Sequence, residues 1–324
     1  MYTTVSVKIK MNNLHNNKIY LGRAEELLKK ISSNSIALSF WSPPYFVGKE
    51  YEKNETFQSW QNTLKNVIEL HTPILKPGGF MVINIADILC FPDKIIPRFQ
   101  ALNLSNQKCK ITRETVLDVK KKHPKYNRYQ LAELLGCSEQ TIDRRLNGNN
   151  IRGGKYQTQT RVKLVGDYIE QYAYNAGLYL YDKRIWVKDP TWANSRWTSN
   201  TLKAVSEYED LYIFWKPGQQ IINRNKLLKS EWKEWGLRGV WYLASVRANK
   251  YHAAQFPLSL ANRVVRLYSE KGDLVIDPFM GSGTTAIAAI QNNRNYIGID
   301  KEKKYVKLAE KNIDDFTKQL KLFK

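Results

Sequence analysis

The chain is expected to be an α/β protein whose core is one mixed, mostly parallel sheet with helices on both faces. Short apolar runs of strand length alternate with longer segments of helical periodicity. The alternation is sharpest near the C-terminus, where strand, glycine turn, helix and strand follow in close order from Leu274 to Asp300. That pattern favours parallel strands joined by crossover helices.

Asn34–Trp41 is apolar and short, and reads as a buried strand running into Ser42. Phe57–Leu75 sets Trp60, Leu64, Val67, Ile68 and Leu75 at helical spacing, and Lys76-Pro77-Gly78-Gly79 supplies a stop and turn. Phe80–Ile85 is a second buried strand. Tyr168–Ala176 reads as a helix ended by Gly177, with Leu178–Val187 a strand after it. Leu211–Trp215 is a strand closed by Lys216-Pro217-Gly218. Gln255–Ser269 is a helix with Leu260, Val264 and Leu267 on one face. Leu274–Asp277 is a strand, Thr284–Gln291 a helix, Tyr296–Asp300 a strand and Lys303–Phe316 a final helix.

Two stretches break the alternation. Residues 98–167 hold fifteen Lys or Arg against six acids, a surplus of nine, and read as a basic helical insertion. Residues 189–243 are rich in Trp, Asn, Arg and Lys with weak periodicity, and read as a loop-rich target-recognition region. The core would then be assembled from 1–97, 168–188 and 244–324.

Lys and Arg outnumber Asp and Glu by 51 to 30, a formal charge of +21, which points to a polyanion and best to nucleic acid. No apolar run approaches the roughly 20 residues of a membrane span. Cys90, Cys109 and Cys137 form no CxxC pair, and His15, His71, His123 and His252 are scattered, so neither a disulfide framework nor a metal site is expected. The N-terminus lacks an apolar signal core, so a cytosolic, nucleoid-associated protein is expected.

Two strings carry chemistry. The first runs Asp277-Pro278-Phe279-Met280-Gly281-Ser282-Gly283-Thr284-Thr285, from a strand end through a glycine turn into a helix. Glycines let the backbone turn tightly against a ligand, and the helix start offers unpaired N–H groups. The next strand ends in Asp300, 23 residues after Asp277, where a carboxylate can accept both ribose hydroxyls of an adenosine. No GxxxxGK[ST] lysine is present, which disfavours a nucleoside triphosphate.

The second string, Ser42-Pro43-Pro44-Tyr45, follows a strand directly. Two prolines fix φ and remove two N–H donors, leaving carbonyls to face a cleft. An exocyclic amine has two N–H donors, which a Ser42 side chain and the Pro43 carbonyl can accept. Tyr45 would stack on the base.

These strings, with the amine-gripping one first, resemble the amino-group DNA methyltransferases of the permuted beta arrangement. The resemblance implies a Rossmann-like methyltransferase sheet and S-adenosylmethionine as cofactor, bound by the 277–285 string and Asp300. Phe256 and Pro257, in a string that begins at His252, resemble a cofactor-wall helix of that family. It also implies double-stranded DNA as partner and a base flipped out of the duplex. In that family Ser-Pro-Pro-Tyr is typical of cytosine-N4 enzymes and Asp-Pro-Pro-Tyr of adenine-N6 enzymes. Asp87 would lie near the end of the central strand, and Trp186 would be structural or pocket-lining. Arg23 departs from the pattern, standing where the family usually has an acid, and Trp41 stands where a small residue is common.

Within the insertion, Leu131, Leu134 and Leu135 give one apolar face, Gly136 permits a sharp turn, and Ser138 is placed to cap a helix through Leu146. This resembles a helix-turn-helix. Gln140, Thr141, Arg144 and Arg145 would face a groove, and Lys121 a phosphate.

The sequence and the resemblance thus predict a site-specific DNA methyltransferase acting on cytosine N4 within a restriction-modification system, with the presence of a companion restriction endonuclease left open. Adenine N6 is the alternative target, and a DNA-binding regulator with a degenerate core is the alternative of another class. The recognition sequence and the oligomeric state stay open.

Overall fold

The structure, a computed structural model, describes residues 14–46, 56–89, 91, 111–147, 162–189, 204–220, 222–246 and 255–322. By contacts the chain divides into two units. The first comprises Met1–Leu89, Val162–Asp189 and Glu207–Lys324, and the second Cys90–Arg161 and Pro190–Ser206. His252 and the expected insertion residues 98–110 and 148–161 lie outside the described residues.

Among its described residues the first unit has eight strands: β1 (Lys18–Leu21), β2 (Ile36–Trp41), β3 (Leu75–Ile85), β4 (Tyr179–Val187), β5 (Tyr208–Trp215), β6 (Val240–Tyr242), β7 (Leu274–Asp277) and β8 (Asn295–Asp300). Their order is β1-β8-β7-β2-β3-β5-β4-β6. β5 runs antiparallel to both of its neighbours, and every other pairing is parallel. The sheet is therefore mixed, as expected.

Its helices are α1 (Ala24–Leu27), α2 (Phe57–Ile74), α6 (Gly166–Asn175), α7 (Lys229–Glu231), α8 (Leu258–Tyr268), α9 (Thr284–Gln291) and α10 (Lys303–Leu322). Successive side chains of a strand face opposite sides of a sheet. Strand β2 is buried along its whole length and shows both sides. Leu38 and Phe40 join the apolar cluster that includes Leu260, Val264 and Ala288 of α8 and α9. Ser39 and Trp41 meet His71 of α2 instead. Helices thus cover both faces.

Several elements depart from expectation. Lys76-Pro77-Gly78-Gly79 is not a separate turn: it lies inside β3, where a register shift against β2 absorbs it. Gly78 has φ 81, and a Cβ there would come within 2.4 Å of the Gln219 carbonyl oxygen, so glycine is required. The helix expected from Gln255 starts only at Leu258, after Pro257. Of region 189–243, residues 190–203 and 221 lie outside the described residues; in the described part β5 extends back to Tyr208, and β6 pairs with β4. Strands β1 and β6 were not foreseen. They are 4 and 3 residues long at the two sheet edges, too short for periodicity to register.

The second unit, in its described part, is three helices: α3 (Arg113–Lys122), α4 (Arg128–Leu134) and α5 (Glu139–Asn147). Val116, Leu131, Ala132 and Ile142 form its core. Gly136, at φ 61, makes the turn between α4 and α5, and the Ser138 hydroxyl accepts the Thr141 N–H at 3.3 Å. Lys121, Gln140 and Arg144 are exposed, whereas Thr141 is half-buried. Arg145 is engaged internally: its Nε donates to the Ile111 carbonyl at 2.8 Å, tying α5 to the start of α3. Leu134, expected on the apolar face, is 54% exposed.

His71 holds α2 to β2. Its Nδ1 donates to the Val67 carbonyl at 2.6 Å, so Nε2 must accept from the Ser39 hydroxyl at 2.8 Å. Burial lowers its pKa from 6.5 to about 4. The unfolded chain takes up this proton near the ordinary value and the folded one only near 4, so the stabilisation is complete above about 6.5 and lost as pH falls. Between pH 7 and 4 this linkage removes up to about 3 kcal/mol. Urea unfolding over that range should therefore show the gap between wild type and His71→Gln closing as pH falls; a gap independent of pH would contradict the buried neutral imidazole.

Candidate active site

Strands β2 and β7 are parallel neighbours, with Leu38 opposite Val275 and Ser39 opposite Ile276. Their carboxyl ends therefore point the same way. The strings that leave them, about 230 residues apart in sequence, line one cleft. Ligands of open α/β sheets lie at this edge.

Ser42, Pro43, Pro44 and Tyr45 line one part of the cleft, and Asp277, Pro278, Phe279, Gly281, Ser282 and Thr284 another, together with Asp300 and Phe256. Trp41 and Phe279, with ring centroids 5.4 Å apart, join the bases of the two strings. Three residues expected at the cofactor are not in the lining. Gly283 is the left-handed residue that opens α9, with φ 90. Thr285 lies behind the turn, and Pro257 is buried at the start of α8.

The glycine turn is held from below by carboxylates. Asp277 Oδ2 accepts the Thr285 hydroxyl at 2.7 Å and Oδ1 the Phe279 N–H at 2.9 Å. Burial nevertheless pushes its pKa up to about 7. Asp300 accepts the Gly281 N–H at 2.9 Å on one oxygen and the Glu302 N–H at 2.8 Å on the other. Its pKa is also raised, by burial above all. Each carboxylate oxygen can accept more than once, so Asp300 keeps acceptor capacity toward the cleft. Gly283 opens α9 with no side-chain cap, leaving the first-turn N–H groups for a ligand.

The proline string is held from its flanks. The Trp60 Nε1–H of α2 donates to the Pro44 carbonyl at 2.7 Å. The Tyr45 hydroxyl donates to Glu209 Oε2 at 2.8 Å, and Lys188 pairs with the other oxygen of Glu209. Ser42 Oγ lies 3.4 Å from the Tyr45 hydroxyl oxygen and donates to it.

Other residues lining the cleft were not foreseen there, among them Glu25, Gln255, Glu302 and Tyr305. Arg23, which takes the place of the usual acid, also lines it and pairs with Glu25 at 3.0 Å. Gln255 gives the clearest missed signal: it directly precedes Phe256 and donates to Thr284 Oγ1 at 3.0 Å. Asp87 and Trp186 are not in the lining. Asp87 accepts the Val165 N–H at 2.8 Å, and Trp186 is buried with its Nε1–H on the Leu243 carbonyl at 2.8 Å, a structural role.

The sequence profile of the DNA methylase family matches residues 36–311. The Type II methyltransferase M.BglI of Bacillus subtilis is 59% identical over 309 residues, covering 94% of this chain and 89% of its own. Among solved structures, the putative DNA modification methylase TTHA0409 of Thermus thermophilus, complexed with S-adenosyl-L-methionine, superimposes with a TM-score of 0.59 at 22% identity, over 92% of this chain and 93% of its own. The PvuII DNA methyltransferase, cytosine-N4-specific, has a TM-score of 0.57 at 18% identity, over 94% of this chain and 93% of its own. These two share the fold. A profile that spans both the Ser42 and Asp277 strings, with a relative alike along nearly the whole chain, makes this protein a member of the DNA methylase family, an amino-group DNA methyltransferase.

Proposed function

We propose that the chain methylates the exocyclic N4 of cytosine within a specific DNA sequence, as the modification partner of a restriction endonuclease. The observation that supports this is that Ser42–Tyr45 and residues 277–282 with Thr284 line one cleft, with a neutral hydroxyl, not a carboxylate, at position 42.

The cleft fits S-adenosylmethionine. The uncapped start of α9 suits a carboxylate, Asp277 and Asp300 suit the cationic and hydroxyl parts, and Phe256 and Phe279 suit a purine face. The bound cofactor supplies an electrophilic methyl group on a cationic sulfur. Ser42 Oγ and the Pro43 carbonyl accept the two N–H bonds of the amine and turn its lone pair toward that methyl. Orientation of this kind carries much of the acceleration. Flipping the base out costs a few kcal/mol. Stacking on an aromatic ring contributes about 1–3 kcal/mol, enough to offset much of that cost, and Tyr45 is placed to supply it.

Nucleoside mass spectrometry of DNA from cells expressing the chain should find N4-methylcytosine. N6-methyladenine instead would transfer the proposal to adenine, and no modified base would favour the regulator. Tyr45→Ala should weaken methylation about 5- to 100-fold while leaving cofactor affinity unchanged; calorimetry that finds both impaired would place Tyr45 at the cofactor.

Asp277 gives the cofactor site a pH dependence. With its pKa at about 7, the carboxyl is largely protonated below neutrality, and a bound cation favours the ionised form. Affinity for S-adenosylmethionine should rise with pH through about 7 and then level. Titrations between about pH 6 and 8.5 should show this slope in wild type and a flatter one in Asp277→Asn; equal slopes would remove Asp277 as its source.

For the second unit, the exposed Gln140 and Arg144 of α5 are the proposed base readers, and Lys121 a phosphate contact. Arg144→Ala should relax specificity at one position at a cost of about 1–3 kcal/mol. Lys121→Ala should weaken binding to all sequences alike. Arg145→Ala should instead destabilise the unit by about 1 kcal/mol through loss of its bond to Ile111. Site-by-site methylation sequencing and thermal melts separate these outcomes, and identical specificity in Arg144→Ala would move target reading elsewhere in the chain.

A further inference from the structure

The carboxylate of Glu209 lies outside the cleft lining yet connects to it through a directed chain of hydrogen bonds. Lys188 offers only donors, so it takes one oxygen of Glu209 as an ion pair. The other oxygen accepts the Tyr45 hydroxyl at 2.8 Å. With its only proton committed to Glu209, the Tyr45 oxygen can face Ser42 only as an acceptor. Ser42 Oγ is 3.4 Å away and donates to it, a long contact with the polarity already set. Both charged side chains are largely buried, at 14% and 12% exposure, so solvent screens the pair weakly.

We propose that Glu209, fixed by Lys188, is a positioning residue that sets the hydrogen-bond polarity of Ser42. A serine hydroxyl can donate or accept. To grip an amine it must accept, and a hydroxyl proton aimed at the amine would repel the N–H and occupy the lone pair needed for attack. The relay from Glu209 through Tyr45 draws the Ser42 proton away from the cleft. The lone pairs of Ser42 are then left to the amine. A carboxylate at position 42 would need no such device, because it only accepts. The geometry supports the direction: Lys188 follows β4 and Glu209 lies near the start of the antiparallel β5, so both stand at the sheet edge that carries Ser42. This inference rests on the proposal that Ser42 grips the amine.

The test is the single-turnover rate of labelled methyl transfer to unmethylated plasmid DNA, with the full chain saturated in S-adenosylmethionine. Tyr45→Phe keeps the ring and deletes the relay oxygen. Glu209→Gln reverses the relay, because Lys188 claims the amide oxygen and turns the amide N–H toward Tyr45. Each should slow transfer about tenfold, the scale of one hydrogen bond lost in the transition state, with KM for DNA and affinity for the cofactor nearly unchanged. In a Ser42→Ala background, Glu209→Gln should have no further effect, because the group it acts through is gone. A merely structural Glu209 would slow both backgrounds alike. Transfer at the wild-type rate in Tyr45→Phe, or an undiminished effect of Glu209→Gln in Ser42→Ala, overturns the relay. Identifying the methylated nucleoside in the same wild-type reaction keeps the two readings apart. Adenine N6 would refute the cytosine target and leave the relay comparison valid, since that amine also presents two N–H donors.

Discussion

The pairing of β2 with β7 is the constraint on which the site depends. Parallel neighbours end at the same edge, so two strings far apart in sequence are delivered to one cleft without any loop having to span the distance. The pairing is short, and burial reinforces it. All of β2 is inside, with Leu38 and Phe40 against α8 and α9 and with Ser39 and Trp41 against α2. A slip of one residue would exchange those two sets of side chains and set Ser39 against the apolar cluster. The register of one strand thus decides both the core and the position of Ser42.

Above that pairing, the cleft is shaped by polar groups that serve the backbone first. Asp277 and Asp300 each bind N–H groups of the loops that follow β7 and β8. His71 is buried and neutral, its two nitrogens committed to Val67 and Ser39. Trp60 holds the Pro44 carbonyl. Groups satisfied in this way cannot swing freely, so the turn and the proline string are preorganised before any ligand arrives. Desolvation raises both carboxyl pKa values, leaving these acids responsive to a cationic ligand.

Charge is apportioned differently. The chain as a whole is strongly basic, while the cleft lining includes the acids Glu25, Asp277, Asp300 and Glu302 beside Arg23 and Lys301. An acidic cleft suits a cation, and a basic chain suits a polyanion. Among the described residues of the second unit, Val116, Leu131, Ala132 and Ile142 form a small core between the three helices, while Gln140 and Arg144 of α5 stay exposed.

The sequence by itself determined the alternating strands and helices and the two motifs, because those signals are local: apolar runs, glycines at a turn, prolines after a strand. It also indicated the cap at Ser138. Only the tertiary structure decided how distant residues pair. The bond from Tyr45 to Glu209 joins positions 164 residues apart, and no pattern in the chain announces it. The same holds for Trp60, readable only as a member of an apolar helix face until the fold brought its N–H to Pro44. Arg145 looked like a groove-facing cation beside Arg144, yet the helix turns it toward Ile111 while Arg144 stays exposed. Periodicity reports which residues share a face. The partner on that face is set by packing between elements, and that depends on the whole chain.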